Sequence, residues 1–168
     1  IASTAAANRR EHAAAWYLPE SQISAGAQPI VLSFTTSGGN VTGLHIKRAA
    51  YATVEQSAPL AGSAANSNAD SNVTFGSAVT YAVNGLTFYV AGNGGLGAFE
   101  TVPSPFVQTN RESSNASTSF AAQTPVQTSG GSYGFNTTVT FTGSTSNRSA
   151  IVVGSLAPST TTIGNGAD

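Results

Sequence analysis

The chain contains no cysteine and no methionine. The first absence excludes disulfides, thiolate metal sites and a cysteine nucleophile. The second leaves no oxidisable sulfur. With Ile1 at the start and no methionine anywhere, the expectation is a processed N-terminus, from loss of a signal peptide or propeptide or from excision of a fragment. Charge is also scarce: six Lys and Arg stand against seven Asp and Glu, for a net charge of −1, and Lys47 is the one lysine. A surface so poor in cations cannot neutralise a phosphate backbone, which argues against nucleic-acid binding. No run approaches the 18 apolar residues that a membrane-spanning helix needs. Few basic cleavage points and no sulfur suit an extracellular, cell-surface or virion location.

Small residues fill the space that charge leaves. Ala, Gly, Ser and Thr make up 88 of the 168 residues. Low apolar content combined with high net charge signals disorder, but the net charge here is close to zero. The composition therefore points to one folded domain with a thin core and a surface rich in hydroxyl groups.

Residues 1–15 are Ala-rich around Arg9, Arg10 and Glu11. They read as an N-terminal arm, extended or briefly helical, available for contact with another subunit. From there the pattern is β. Ile30, Leu32 and Phe34 alternate with Val31, Ser33 and Thr35, and Leu44 and Ile46 alternate with His45 and Lys47. Residues 57–71 read as a small polar loop. Val79, Tyr81 and Val83 lead to Asn84-Gly85, and Leu86, Phe88 and Val90 follow, which is a strong hairpin signal. Residues 92–114, with their glycines and prolines, read as a long excursion. Phe135, Thr137, Val139 and Phe141 share one strand face. Ala150 to Leu156 is apolar on both faces, as expected of a central, doubly covered strand. The reading is an all-β, antiparallel β-sandwich over residues 16–157 with a flexible tail at 158–168. The pattern does not choose between jelly-roll and immunoglobulin-like topology.

Several stretches together resemble β-sandwich modules of bacterial secreted proteins and phage virion proteins. They are His12-Ala-Ala-Ala-Trp16-Tyr17-Leu18-Pro19, Pro29-Ile-Val-Leu-Ser-Phe34, Ala49-Ala50-Tyr51, Gln56-Ser57-Ala58-Pro59, Asn84 to Gly92, and Asn147 to Leu156. The resemblance spans about residues 11–158. It implies a non-catalytic structural or adhesive module and transfers no catalytic residue. Such modules carry further strands upstream of the Trp-Tyr strand, whereas about ten residues precede it here. A sheet edge left open in this way is a template for a strand from a neighbouring chain.

The chemistry-bearing residues are sparse. Gly92-Asn93-Gly94-Gly95-Leu96-Gly97 matches a dinucleotide-binding glycine pattern, but Pro103 and Pro105 follow where a helix is required, so a turn is expected. Two histidines, His12 and His45, and two aspartates, Asp70 and Asp168, make a poor inventory for a Ser-His-Asp triad. Glu11, Glu20, Glu55, Glu100 and Glu112 show no context that marks a catalytic carboxylate pair. No cofactor and no metal site is expected, and the chain reads as a non-enzyme. Asn40, Asn72, Asn115, Asn136 and Asn147 each begin an N-glycosylation sequon, a modest excess in a chain this rich in Ser and Thr. Trp16, Tyr17, Tyr51, Tyr89 and Tyr133 are candidate platforms for stacking on a sugar. For the lone Trp16, packing in the core is the commoner use.

Two functions follow as expectations. The first is a structural subunit that assembles with copies of itself, or with other proteins of one particle, in an extracellular filament or on a virion as a capsid, decoration or tail component. Near-neutral copies repel one another little, and short side chains lose little entropy when buried between subunits. The second is a monomeric carbohydrate-binding or adhesive module, which needs exposed aromatic rings.

Overall fold

The computed structural model describes residues 4–5, 12–23, 26, 29, 31, 44–95, 99–114, 117–143 and 148–159. These residues form an all-β sandwich, and the one helical element described is a 3-10 turn at Glu20–Gln22. No described helix is long and apolar enough to cross a membrane.

The larger layer is a five-stranded antiparallel sheet. In spatial order it runs β3 (Leu60–Asn68), β12 (Ser149–Leu156), β6 (Leu86–Asn93), β9 (Ser117–Gln123), β8 (Val107–Ser114). Strand β12 is an interior strand, paired on both sides by β3 and β6, and is buried along its whole length. Its alternate residues feed two separate apolar clusters, which is why Ala150 to Leu156 needs no polar face. The inward set, Ile151 and Val153, joins Tyr89 and Ala91 of β6 and Phe120 and Ala122 of β9.

Against this inward face lie two smaller sheets. One is β4 (Asn72–Thr74), β11 (Thr138–Thr142) and β7 (Phe99–Thr101), with β11 in the middle; the other pairs β5 (Val79–Tyr81) with β10 (Gly131–Tyr133). Val73, Phe75, Val79, Val139 and Phe141 close the core from that side. Phe75 sits among Tyr89, Phe106 and Tyr133, with ring centroids 6.3, 5.8 and 6.5 Å away. The Phe75–Phe106 and Phe75–Tyr133 contacts are edge-on, as aromatic quadrupoles prefer.

The outward face of the large sheet is covered in part. Near the N-terminus β1 (Thr4–Ala5) pairs with β2 (His12–Ala13), so the described part of the arm is extended. Ala13 is buried with Ala150 and Val152, and Ala15, Ala65 and Val90 pack around them.

Several sequence expectations need correction. Residues 44–47 form no strand. His45 and Lys47 engage the sheet, while Leu44 and Ile46 face solvent, so the alternation is real but its polar set points inward. The expected loop at 57–71 contains β3, a strand of small residues that lies close against its neighbours. Asn84-Gly85 does make a turn, with Asn84 at φ 59° and the Gly85 N–H donating to the Ala82 carbonyl at 3.0 Å. It is not a ladder hairpin: β5 pairs with β10 and β6 with β12 and β9, so the turn crosses between sheets. On β6 the fully buried face is Thr87, Tyr89, Ala91 and Asn93, not Leu86, Phe88 and Val90, because the first set points into the core between the sheets and the second lies on the outward face, which is covered only in part. The stretch 92–114 is largely strand, in β7 and β8. Phe135 lies outside β11 and is exposed. The expected strand around Ile30, Leu32 and Phe34 lies outside the described residues, as does all of the tail beyond Ser159.

Candidate interaction surface

On the outward side of β8 and β9 the segment 44–54 runs as a strap. His45 Nδ1 is 3.5 Å from a Glu112 carboxylate oxygen on β8, and its Nε2 is 3.4 Å from the Ser117 hydroxyl at the start of β9. The Lys47 ammonium donates to Thr109 Oγ1 at 3.1 Å. Desolvation against the sheet lowers the Lys47 pKa, and the charge of Glu112 opposes that shift. The Tyr51 hydroxyl donates to Gln123 Oε1 at 3.1 Å, and partial burial raises its pKa. Beyond Tyr51, Thr53 takes φ 57°, a region that β-branched residues rarely adopt. Its carbonyl accepts the Ser159 N–H at 2.7 Å, and the Glu55 N–H donates to the Ala157 carbonyl. These bonds anchor the strap to the end of β12.

Between the strap and the Asn84–Gly85 turn lies a hollow of about 220 Å³ lined by Tyr51, Val54, Leu86, Val126, Leu156 and Pro158, among others. Among the described residues, no ionisable side chain other than Tyr51 lines it.

The strap and the segment before it leave much apolar surface uncovered. Of the twelve large apolar side chains exposed among the described residues, eight fall between positions 16 and 51: Trp16, Tyr17, Leu18, Ile23, Val31, Leu44, Ile46 and Tyr51. Trp16 is 71% exposed, Tyr17 53%, and neither sits on a strand. The expectation of a core role for Trp16 is therefore overturned. The core is already filled by Phe75, Tyr89, Phe106, Phe120 and Phe141, and residues 14–19 pass outside it.

The other candidate rings divide. Tyr51 is exposed at the hollow, Tyr133 is half-buried against Tyr81 and Phe106, and Tyr89 is completely buried. Tyr89 cannot be a stacking platform: its ring is sealed between the sheets and its hydroxyl donates to Glu100 Oε2 at 3.1 Å. Burial first, then the adjacent Glu100 carboxylate, raises the Tyr89 pKa. At Tyr133, burial and the neighbouring Tyr81 raise the pKa while Thr124 opposes them.

Of the sequons, Asn136 is exposed in the turn before β11. Asn72 is half-buried in β4, with its side-chain oxygen enclosed and without a partner. Asn40, Asn115 and Asn147 lie outside the described residues. The glycine-rich stretch runs from the end of β6 into a bend at Gly94 and Gly95, and the next described element is a strand, β7. Among the described residues no three of His, Asp and Glu gather to hold a metal ion.

Comparison with protein-family models, with curated proteins and with solved structures returns no match.

Proposed function

We propose that the chain is a non-enzymatic structural subunit, assembling with copies of itself or with other proteins of the same particle in an extracellular appendage or a virion. The observation that carries this reading is the concentration of unburied apolar side chains between residues 16 and 51, on a molecule with almost no charge to hold copies apart. Large apolar side chains left exposed over one stretch of chain suit contact with other protein, and near-neutral copies associate without long-range repulsion. Sedimentation velocity over a concentration series tests it, with negative-stain microscopy of the same samples. Oligomers or filaments that grow with concentration are expected, and a monodisperse monomer at the highest concentration refutes the proposal.

A second reading is favoured by the adjacent exposed rings of Trp16 and Tyr17, which suit stacking on a saccharide in a monomeric adhesive module. A glycan array free of hits removes it.

A further inference from the structure

Glu100 sits at the middle of β7, a three-residue strand at the edge of its sheet. Its one described neighbour in that sheet is β11, across which Glu100 stands opposite Phe141. The side chain turns into the sandwich. Oε2 accepts from the fully buried Tyr89 hydroxyl, and Oε1 is enclosed with no hydrogen-bond partner. A carboxylate in this position leaves one oxygen desolvated and uncompensated; a neutral carboxylic acid does not bury that charge.

Among the described residues no basic side chain pairs with Glu100; Arg148, just before β12, has its Nε enclosed without a hydrogen-bond partner. Strands β4, β9, β11 and β12, which build the core around it, contain no ionisable side chain. Tyr89 on β6 is the titratable group in contact with it, and Tyr133 on β10 lies beyond Phe106. Arg111 of β8 stands opposite Phe120 on the inward register, but it is at the exposed edge of the other sheet. His45, Lys47 and Glu112 interact on the outward face, across the sheet from Glu100.

We propose that Glu100 is a pH-responsive latch: as a neutral acid on the Tyr89 hydroxyl it holds β7 in the sandwich, and β7 opens with loss of its proton to solvent. Burial, only partly opposed by the Tyr89 hydrogen bond, raises the Glu100 pKa from 4.5 to about 7. The sign follows by linkage. The folded state binds this proton more tightly than the open one, so the contribution is complete below the ordinary carboxylate range and is lost as pH rises to about 7.

The test pairs two measurements on the full chain. Side-chain carboxyl NMR of the unsubstituted protein should give a Glu100 midpoint near 7; a midpoint near 4.5 overturns the latch. Hydrogen exchange at β7 and its β11 partners, corrected for intrinsic rates, should lose up to about ten-fold in protection per pH unit across that window and then level off, as expected for one linked proton. Glu100→Gln keeps the acceptor for Tyr89 but cannot ionise, so it should abolish this dependence. The same slope in Glu100→Gln overturns the proposal. Should that variant fail to fold, the carboxyl midpoint and the exchange profile of the unsubstituted chain decide between the same two outcomes.

Discussion

Gly62 shows how close a chain of small residues lets its strands come. A β-carbon at this position would lie 2.7 Å from both the backbone nitrogen and the backbone oxygen of Thr80, so β3 and β5 would have to separate. Backbone cannot swing aside as a long side chain can. Gly62→Ala is therefore expected to cost about 1–3 kcal/mol, read as a lower urea midpoint at unchanged slope. Position 62 carried no sign of this in the sequence, where it is one glycine among eighteen. The same holds for Tyr89 and Glu100. Tyr89 is one of two rings on a strand with apolar residues at both parities, and Glu100 is one of five glutamates. Their union depends on β6 and β7 meeting across the core, which no local spacing encodes.

Legibility at the level of elements followed side-chain size. β12 stood out because Ala150-Ile151-Val152-Val153 is apolar at successive positions, and the strand is interior to its sheet and covered on both faces. The core half of that cover is the more costly to remove. Ile151→Ala is expected to destabilise by about 2–5 kcal/mol, measured by denaturant unfolding. β3 went unread because Leu60-Ala-Gly-Ser-Ala-Ala-Asn-Ser-Asn68 has almost no hydrophobic amplitude. Its place beside β12 comes from backbone pairing and close approach, which suit such side chains. β8 was hidden for another reason. As an edge strand it carries Gln108, Thr109, Asn110, Arg111 and Glu112, and a register irregularity between Gln108 and Asn110 interrupts its ladder. Polar residues and bulges on an edge discourage further strand addition there, and the same residues mimic a loop in sequence. The Asn84-Gly85 turn was legible, but its strands' partners were not: a two-residue signal sets local geometry, while pairing is settled by which faces the core can bury.

For the molecule as a whole, eight of the twelve large apolar side chains exposed among the described residues fall between positions 16 and 51. The sandwich core uses Phe75, Tyr89, Phe106, Phe120 and Phe141 and leaves Trp16 and Tyr17 outside. Removing these rings should therefore spare the fold and weaken association. The double substitution Trp16→Ser with Tyr17→Ser is expected to shift sedimentation toward monomer while changing the unfolding midpoint by less than about 0.5 kcal/mol equivalent, as for other exposed positions. Equal loss of stability and assembly would show instead that these rings support the fold. The candidate aromatics were visible as residue types in the sequence. Sorting exposed Trp16, Tyr17 and Tyr51 from sealed Tyr89 required knowing the path of the strap.

The position of β12 between β3 and β6 also bears on the order of events during synthesis. Its two ladder partners, β3 and β6, leave the ribosome well before it, yet Leu60 and Leu86 both meet Leu156. Until residues 149–156 emerge, two strands lack the neighbour that both of them pair with in the folded sheet. Sheets joined by such distant pairings close slowly and are prone to mispairing while they wait. The newborn polypeptide is therefore expected to need β12 to keep β3 and β6 from finding one another, or a neighbouring copy, first.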